Sequence, residues 1–127
     1  MKRNRVLLAD DDPHMRATIH KLLQADCEIV DAVSDGRLLV DAALKLRPDV
    51  IVTDIAMPKM NGIEAARTIH RILPDIKFIF LTMHDGNGYR REAQSIGAAG
   101  YVLKSAAQEE LKQAIHDALE GAAQPSS

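Results

Sequence analysis

The chain has no tryptophan, a single cysteine and only four aromatic residues, two Tyr and two Phe. One cysteine, Cys27, permits neither an intramolecular disulfide nor a cysteine-built metal site, and beside Ile29 and Val30 it reads as packing material. No apolar run is long enough to span a bilayer, and Met1-Lys2-Arg3-Asn4-Arg5 leads into a strand-length run rather than a signal-peptide core. A cytoplasmic location without membrane partners is therefore expected. Neither sign of charge dominates: 16 Lys and Arg stand against 18 Asp and Glu, with no block of like charges. That excludes a nucleic-acid-binding arm, so contact with DNA would have to come through another domain.

What is present suffices for a real core. A hydrophobic content of 46% over 127 residues supports one compact domain, expected over residues 1–120, with 121–127 as a C-terminal linker or tail. Four short apolar runs, Val6 to Ala9, Val50 to Val52, Ile76 to Leu81 and Tyr101 to Leu103, suit strands buried on both faces of a parallel sheet. A fifth, Glu28 to Val33, alternates more openly and suits an edge strand.

Helical spacing fills the gaps. Met15, Ile19, Leu22 and Leu23 share one face, and Leu38, Leu39, Ala42, Ala43 and Leu46 another. Asp12-Pro13 and Ser34-Asp35 read as helix starts, and Asn61 with Glu64 as a capping box on a helix that ends before Pro74 and carries Ile63, Ala66, Ile69 and Leu73. A weak fourth helix, Tyr89 to Ile96, follows a mobile Gly86-Asn87-Gly88 loop. Ser105 and Gln108 predict a capping box for a last helix bearing Leu111, Ala114, Ile115, Ala118 and Leu119, with Gly121 as its stop. Five alternations of strand and helix predict an α/β doubly wound, flavodoxin-like five-stranded parallel sheet of order 2-1-3-4-5 with five helices.

In such sheets ligands bind beyond the carboxyl ends of the strands where the order reverses, here between the first and third strands. Asp10, Asp11 and Asp54 fall there. Three adjoining carboxylates must share protons or be neutralised by a cation, and oxygen-only ligands favour Mg²⁺ over zinc. Magnesium keeps several waters, which leaves room for phosphate oxygens and indicates phosphoryl chemistry. Asp54 would be the nucleophile, while Thr82 and Lys104, at the ends of the fourth and fifth strands, would supply a hydrogen-bond donor and a positive charge.

These residues resemble the receiver domains of two-component response regulators, which are CheY-like, from about Arg5 to Leu119. The likeness rests on Asp10-Asp11 after an apolar strand, TDIAMPKMNG around Asp54, Leu81-Thr82 and Val102-Leu103-Lys104, in family order and spacing. It implies that Asp54 accepts a phosphoryl group from a sensor histidine kinase, often also from small acyl phosphates. Asp11 would bind Mg²⁺ directly, Asp10 mainly through water, and Asp54 with the Ala56 carbonyl would complete the ligands. The Met57 amide would hold phosphoryl oxygens. Thr82 would couple to Tyr101 as a switch, with output, and a possible homodimer, through the fourth helix, fifth strand and fifth helix. Ala56 and His84 would tune the dephosphorylation rate. Met83, where relatives often carry a small residue, and Ser105, where many carry a proline, depart from the pattern.

Plainer roles stand beside these. Asp12 is better read as a helix cap than as a metal ligand, and His14, His20, His70 and His116 as surface residues. His84 could be an ordinary loop residue, Tyr101 a strand aromatic and Lys104 a free surface lysine. An aspartate-nucleophile phosphatase needs a second Asp where Ala56 stands. A flavin or nucleotide carrier needs a phosphate cradle where three acids stand. A pseudo-receiver would not need the complete acidic, hydroxyl and lysine set. LTMHD with YVLKS resembles receivers of LuxR/NarL-type transcription factors, which implies a DNA-binding domain beyond this chain; a stand-alone receiver is the alternative.

Overall fold

The computed structural model of the chain describes residues 3–83, 87–98 and 100–121. Strand and helix alternate as β1 (Asn4–Ala9), α1 (Pro13–Leu23), β2 (Cys27–Val33), α2 (Gly36–Leu46), β3 (Val50–Asp54), α3 (Gly62–Ile72), β4 (Lys77–Thr82), α4 (Asn87–Ser95), β5 (Gly100–Leu103) and α5 (Ala107–Gly121). The strands form one parallel sheet in the order β2-β1-β3-β4-β5, as the sequence predicts.

The pleat sends alternate side chains to opposite faces, and this parity divides the core in two. Val6, Leu8, Val50, Val52, Ile79, Leu81 and Val102 pack with Ile19, Leu23, Leu111 and Ile115 of α1 and α5. Leu7, Ala9, Ile51, Phe78 and Phe80 pack instead with Leu39, Ala43, Ile63, Ala66 and Ile69 of α2 and α3, joined by Ala93 of α4. Cys27 lies in the α1/α5 layer, where burial pushes its thiol pKa up.

Three helices start as their cap residues dictate. The Asp12 carboxylate accepts from the His14 amide, with Pro13 as the first helical residue. Asp35 accepts from the Leu38 amide, and Asn61 and Glu64 close a complete capping box. Caps of this kind contribute about 1 kcal/mol each.

Four expectations are corrected. Ser105 does not form a capping box with Gln108, because Lys104–Ala106 make a 3₁₀ turn without a side-chain cap and α5 begins after it. β5 is not buried on both faces: it is the outer strand opposite β2, and only its Val102 is buried. Leu38 is 46% exposed, since α2 buries a stripe through Leu39 and Ala43 that is narrower than its apolar face. Asn87 and Gly88 belong to α4 rather than to a loop, because packing of Ala93 and Ile96 overrides the poor helix propensity of glycine. Gly86 lies outside the described residues, as do residues 122–127 of the expected tail. Among the described residues, no helix is long and apolar enough to cross a membrane.

Candidate functional site

Parity and register bring the acids together. Ala9 of β1 pairs with Thr53 of β3, so the next residues, Asp10 and Asp54, emerge side by side with the parity of Leu8 and Val52. The carboxylates of Asp10, Asp11 and Asp54 each place an oxygen within 4.8 Å of the others. Asp10 and Asp54 are buried, and Asp11 is exposed.

Lys104, the residue after β5, has the parity of Val102 and reaches the same place. Its Nζ lies 2.9 Å from Asp10 Oδ2 and 3.1 Å from Asp54 Oδ2, with the lysine side chain only 12% exposed. Asp10 Oδ2 is fully buried and has no aligned hydrogen bond, so the ammonium holds it by charge. Removing one partner from such a group leaves an uncompensated buried charge, which costs about 3–5 kcal/mol.

Burial raises the Asp54 pKa above its ordinary value and the neighbouring Asp10 raises it further, while Lys104 opposes both. Burial alone would lower the Lys104 pKa, but its contacts with Asp10 and Asp54 together hold it above the usual value. A readily charged lysine thus faces a carboxylate that is costly to ionise.

The backbone around Asp54 is tightly boxed. The Thr53 hydroxyl donates to the Asp54 carbonyl at 2.8 Å. A Cβ at Gly62 would stand 2.1 Å from that same carbonyl oxygen, so only glycine fits there. The Gly62 amide donates to the Ile55 carbonyl at 2.8 Å, which closes the turn containing Ala56 and Met57. Ala56 is exposed and Met57 packs partly into the α2/α3 layer.

Thr82 and Tyr101 are close to the acids in register but differ in parity. Thr82 follows Phe78 and Phe80 and is buried, whereas Asp54 pairs with Leu81. Tyr101 pairs with Phe80, is half-buried against the α2/α3 layer, and lies with its ring 4.4 Å beneath the Arg90 guanidinium of α4. Met83 is 69% exposed. His84 lies outside the described residues. His14, His20 and His116 are exposed and His70 is half-buried. The Lys104–Ser105 bond is trans.

One residue escaped the sequence reading. Arg16 Nη1 donates to the Asp10 carbonyl at 2.7 Å. The available signal was a cation one turn into the helix that follows three consecutive acids. Two surface grooves are lined by other residues: one of about 470 Å³ runs between α1 and the start of α5 past Lys104, another of about 340 Å³ sits at the far end of the sheet around Pro48 and Pro74.

Residues 6–116 match the model of the response regulator receiver domain. The chain is 40% identical over 121 residues to the uncharacterised transcriptional regulatory protein YxjL of Bacillus subtilis (strain 168), covering 94% of this chain and 56% of that one. It therefore spans about half the length of the curated relatives it matches. Among solved structures, the signal receiver domain of the response regulator NarL from Mycobacterium tuberculosis superposes with a TM-score of 0.89 at 27% identity, over 95% of this chain and 99% of that one. A LuxR-family DNA-binding response regulator from Staphylococcus aureus superposes with a TM-score of 0.86 at 28% identity, over 91% of this chain and 98% of that one. With the predicted sheet order and the acid and lysine group in place, the chain belongs to the response regulator receiver domain family.

Proposed function

We propose that Asp54 accepts a phosphoryl group from a phosphohistidine of a sensor histidine kinase, or from a small acyl phosphate. The observation that carries this is Lys104 seated between buried Asp10 and Asp54 at 2.9 and 3.1 Å. In the reaction an Asp54 carboxylate oxygen attacks phosphorus, the bond from phosphorus to the leaving nitrogen or oxygen breaks, and its electron pair goes to the leaving atom. The charge that Lys104 directs at Asp54 is then available to the phosphoryl oxygens, with the Thr82 hydroxyl and the Met57 amide as further donors.

The donor set fits Mg²⁺: every candidate ligand is oxygen, and one buried Asp10 oxygen lacks an aligned hydrogen bond. Asp11 and Asp54 would hold the ion directly, with the Ala56 carbonyl, and Asp10 through water. When bound it offsets the negative charge of the acids and of the transferred group. Ala56 where a phosphatase needs a second Asp favours a chain that stores the group over one that turns over substrates. Ala56 and His84 then set how long it is stored.

The output reading follows from Thr82 and Tyr101. Phosphorylation draws Thr82 toward the new group and biases Tyr101, shifting the population of the α4, β5 and α5 face. That face would pair with a second copy, and transcriptional and DNA-binding relatives support an attached DNA-binding domain. A receiver domain (residues 1–120) with a following linker (121–127) in the cytoplasm fits this reading; action through protein contacts alone is the alternative. Incubation with Mg²⁺ and acetyl phosphate should add one acid-stable, base-labile phosphoryl group, and Asp54→Asn should abolish it. Unchanged labelling of that variant would refute the assignment.

A further inference from the structure

We propose that Arg16 is a positioning residue for the metal site: its guanidinium fixes the Asp10–Asp11 peptide and so aims Asp11 at the cation. The inference rests on the metal-binding reading above. Asp10 joins β1 to α1, and its polar atoms are tied from four directions. Its amide donates to the Val33 carbonyl at 3.0 Å. Its Oδ1 accepts from the Asp12 amide at 2.9 Å, and its Oδ2 meets Lys104 at 2.9 Å. Its carbonyl accepts from Arg16 Nη1 at 2.7 Å.

The Arg16 bond is the one that bears on Asp11. A carbonyl oxygen and the next residue's nitrogen share one rigid plane, so gripping the Asp10 oxygen sets the direction in which the chain enters Asp11. Asp11 is exposed, so packing does little to orient it. The grip is charge-assisted and partly buried, which makes it stronger than a neutral surface bond. Arg16 also donates its own amide to the Asp12 carbonyl at 3.0 Å. Its backbone and side chain therefore brace both ends of the three-acid stretch from the first turn of α1.

Charge alone predicts the opposite behaviour. A guanidinium near the acids repels Mg²⁺, so its removal would raise Mg²⁺ affinity if position did not matter. Calorimetric titration of Mg²⁺ into the chain, with no phosphodonor present, separates the two. Arg16→Ala should bind Mg²⁺ about tenfold more weakly, the scale seen when a group supporting a metal ligand is removed. Arg16→Lys, which keeps a charged donor, should recover most of the loss. An Arg16→Ala protein that binds Mg²⁺ as tightly as the parent, or more tightly, overturns the proposal. Should Arg16→Ala fail to fold, Arg16→Gln carries the same prediction. A parent chain that binds no Mg²⁺ overturns the metal reading itself, whereas a binding parent with an unaffected variant overturns only the role of Arg16.

Discussion

At the acid end of the sheet, Asp10 and Asp54 are buried and already held by Lys104, while at the α4 to β5 edge Tyr101 is half-buried under an exposed arginine. The acid end is closed by backbone: Gly62 abuts the Asp54 carbonyl and the Thr53 hydroxyl bonds it. The edge is held in part by surface contacts, Arg90 over Tyr101 and Arg67 to Glu92 at 3.2 Å, with the latter pair 44% and 50% exposed. Surface contacts of these kinds are worth about 1 kcal/mol or less. One region is therefore fixed by burial and close backbone contact, and the other is partly open to solvent. Thr82 joins them, because its parity faces the Tyr101 layer while its strand runs beside that of Asp54.

The largest effect should come from breaking the closed end. Gly62→Ala puts a methyl group against the Asp54 carbonyl, and denaturant unfolding should show a loss of about 3 kcal/mol or more. A neutral result would mean that the turn after β3 yields easily and that the end is not fixed by backbone contact.

A smaller effect, of opposite sign, should come from neutralising Asp54. Because the folded Asp54 pKa is raised, its stabilising contribution is complete only below the unfolded value of 3.8 and is lost as pH rises through the folded value. Ionised Asp54 is thus a cost at neutral pH. Asp54→Asn should raise stability at pH 7, and the gain should shrink as pH falls toward 3.8. Urea unfolding of parent and variant from pH 7 down to pH 4 reads this, and a destabilised variant at neutral pH would show that the Lys104 pair outweighs burial.

The smallest effect belongs to the edge. Arg90→Ala should cost about 0.5–1 kcal/mol in global unfolding while increasing amide hydrogen exchange across α4 and β5 and leaving β1 and β3 unchanged. Exchange that rises equally in β1 would erase the contrast between the two regions.

Much of the acid end could be read in the sequence because it depends on strand order and on an alternation of two. The apolar runs placed Asp10, Asp54, Thr82 and Lys104 at strand ends, and the sheet order made β1 and β3 neighbours. What periodicity does not carry is which partner covers a face. Leu38 fell outside the stripe that α2 buries, and β5 lies outermost, so its apolar run is buried only at Val102. Ser105 matched a capping pattern, yet the chain turns as a 3₁₀ segment immediately after placing Lys104 on the acids. Arg16 stayed hidden because a surface cation on a helix looks like any other until its carbonyl partner, six residues back, is located in space.

The buried group of Asp10, Asp54 and Lys104 is proposed to load a phosphoryl group onto Asp54. The most direct test is peptide mapping by mass spectrometry after reaction with acetyl phosphate and Mg²⁺. One phosphoryl group on the peptide containing Asp54, absent without Mg²⁺, is the predicted result; modification at another residue, or at none, would contradict it.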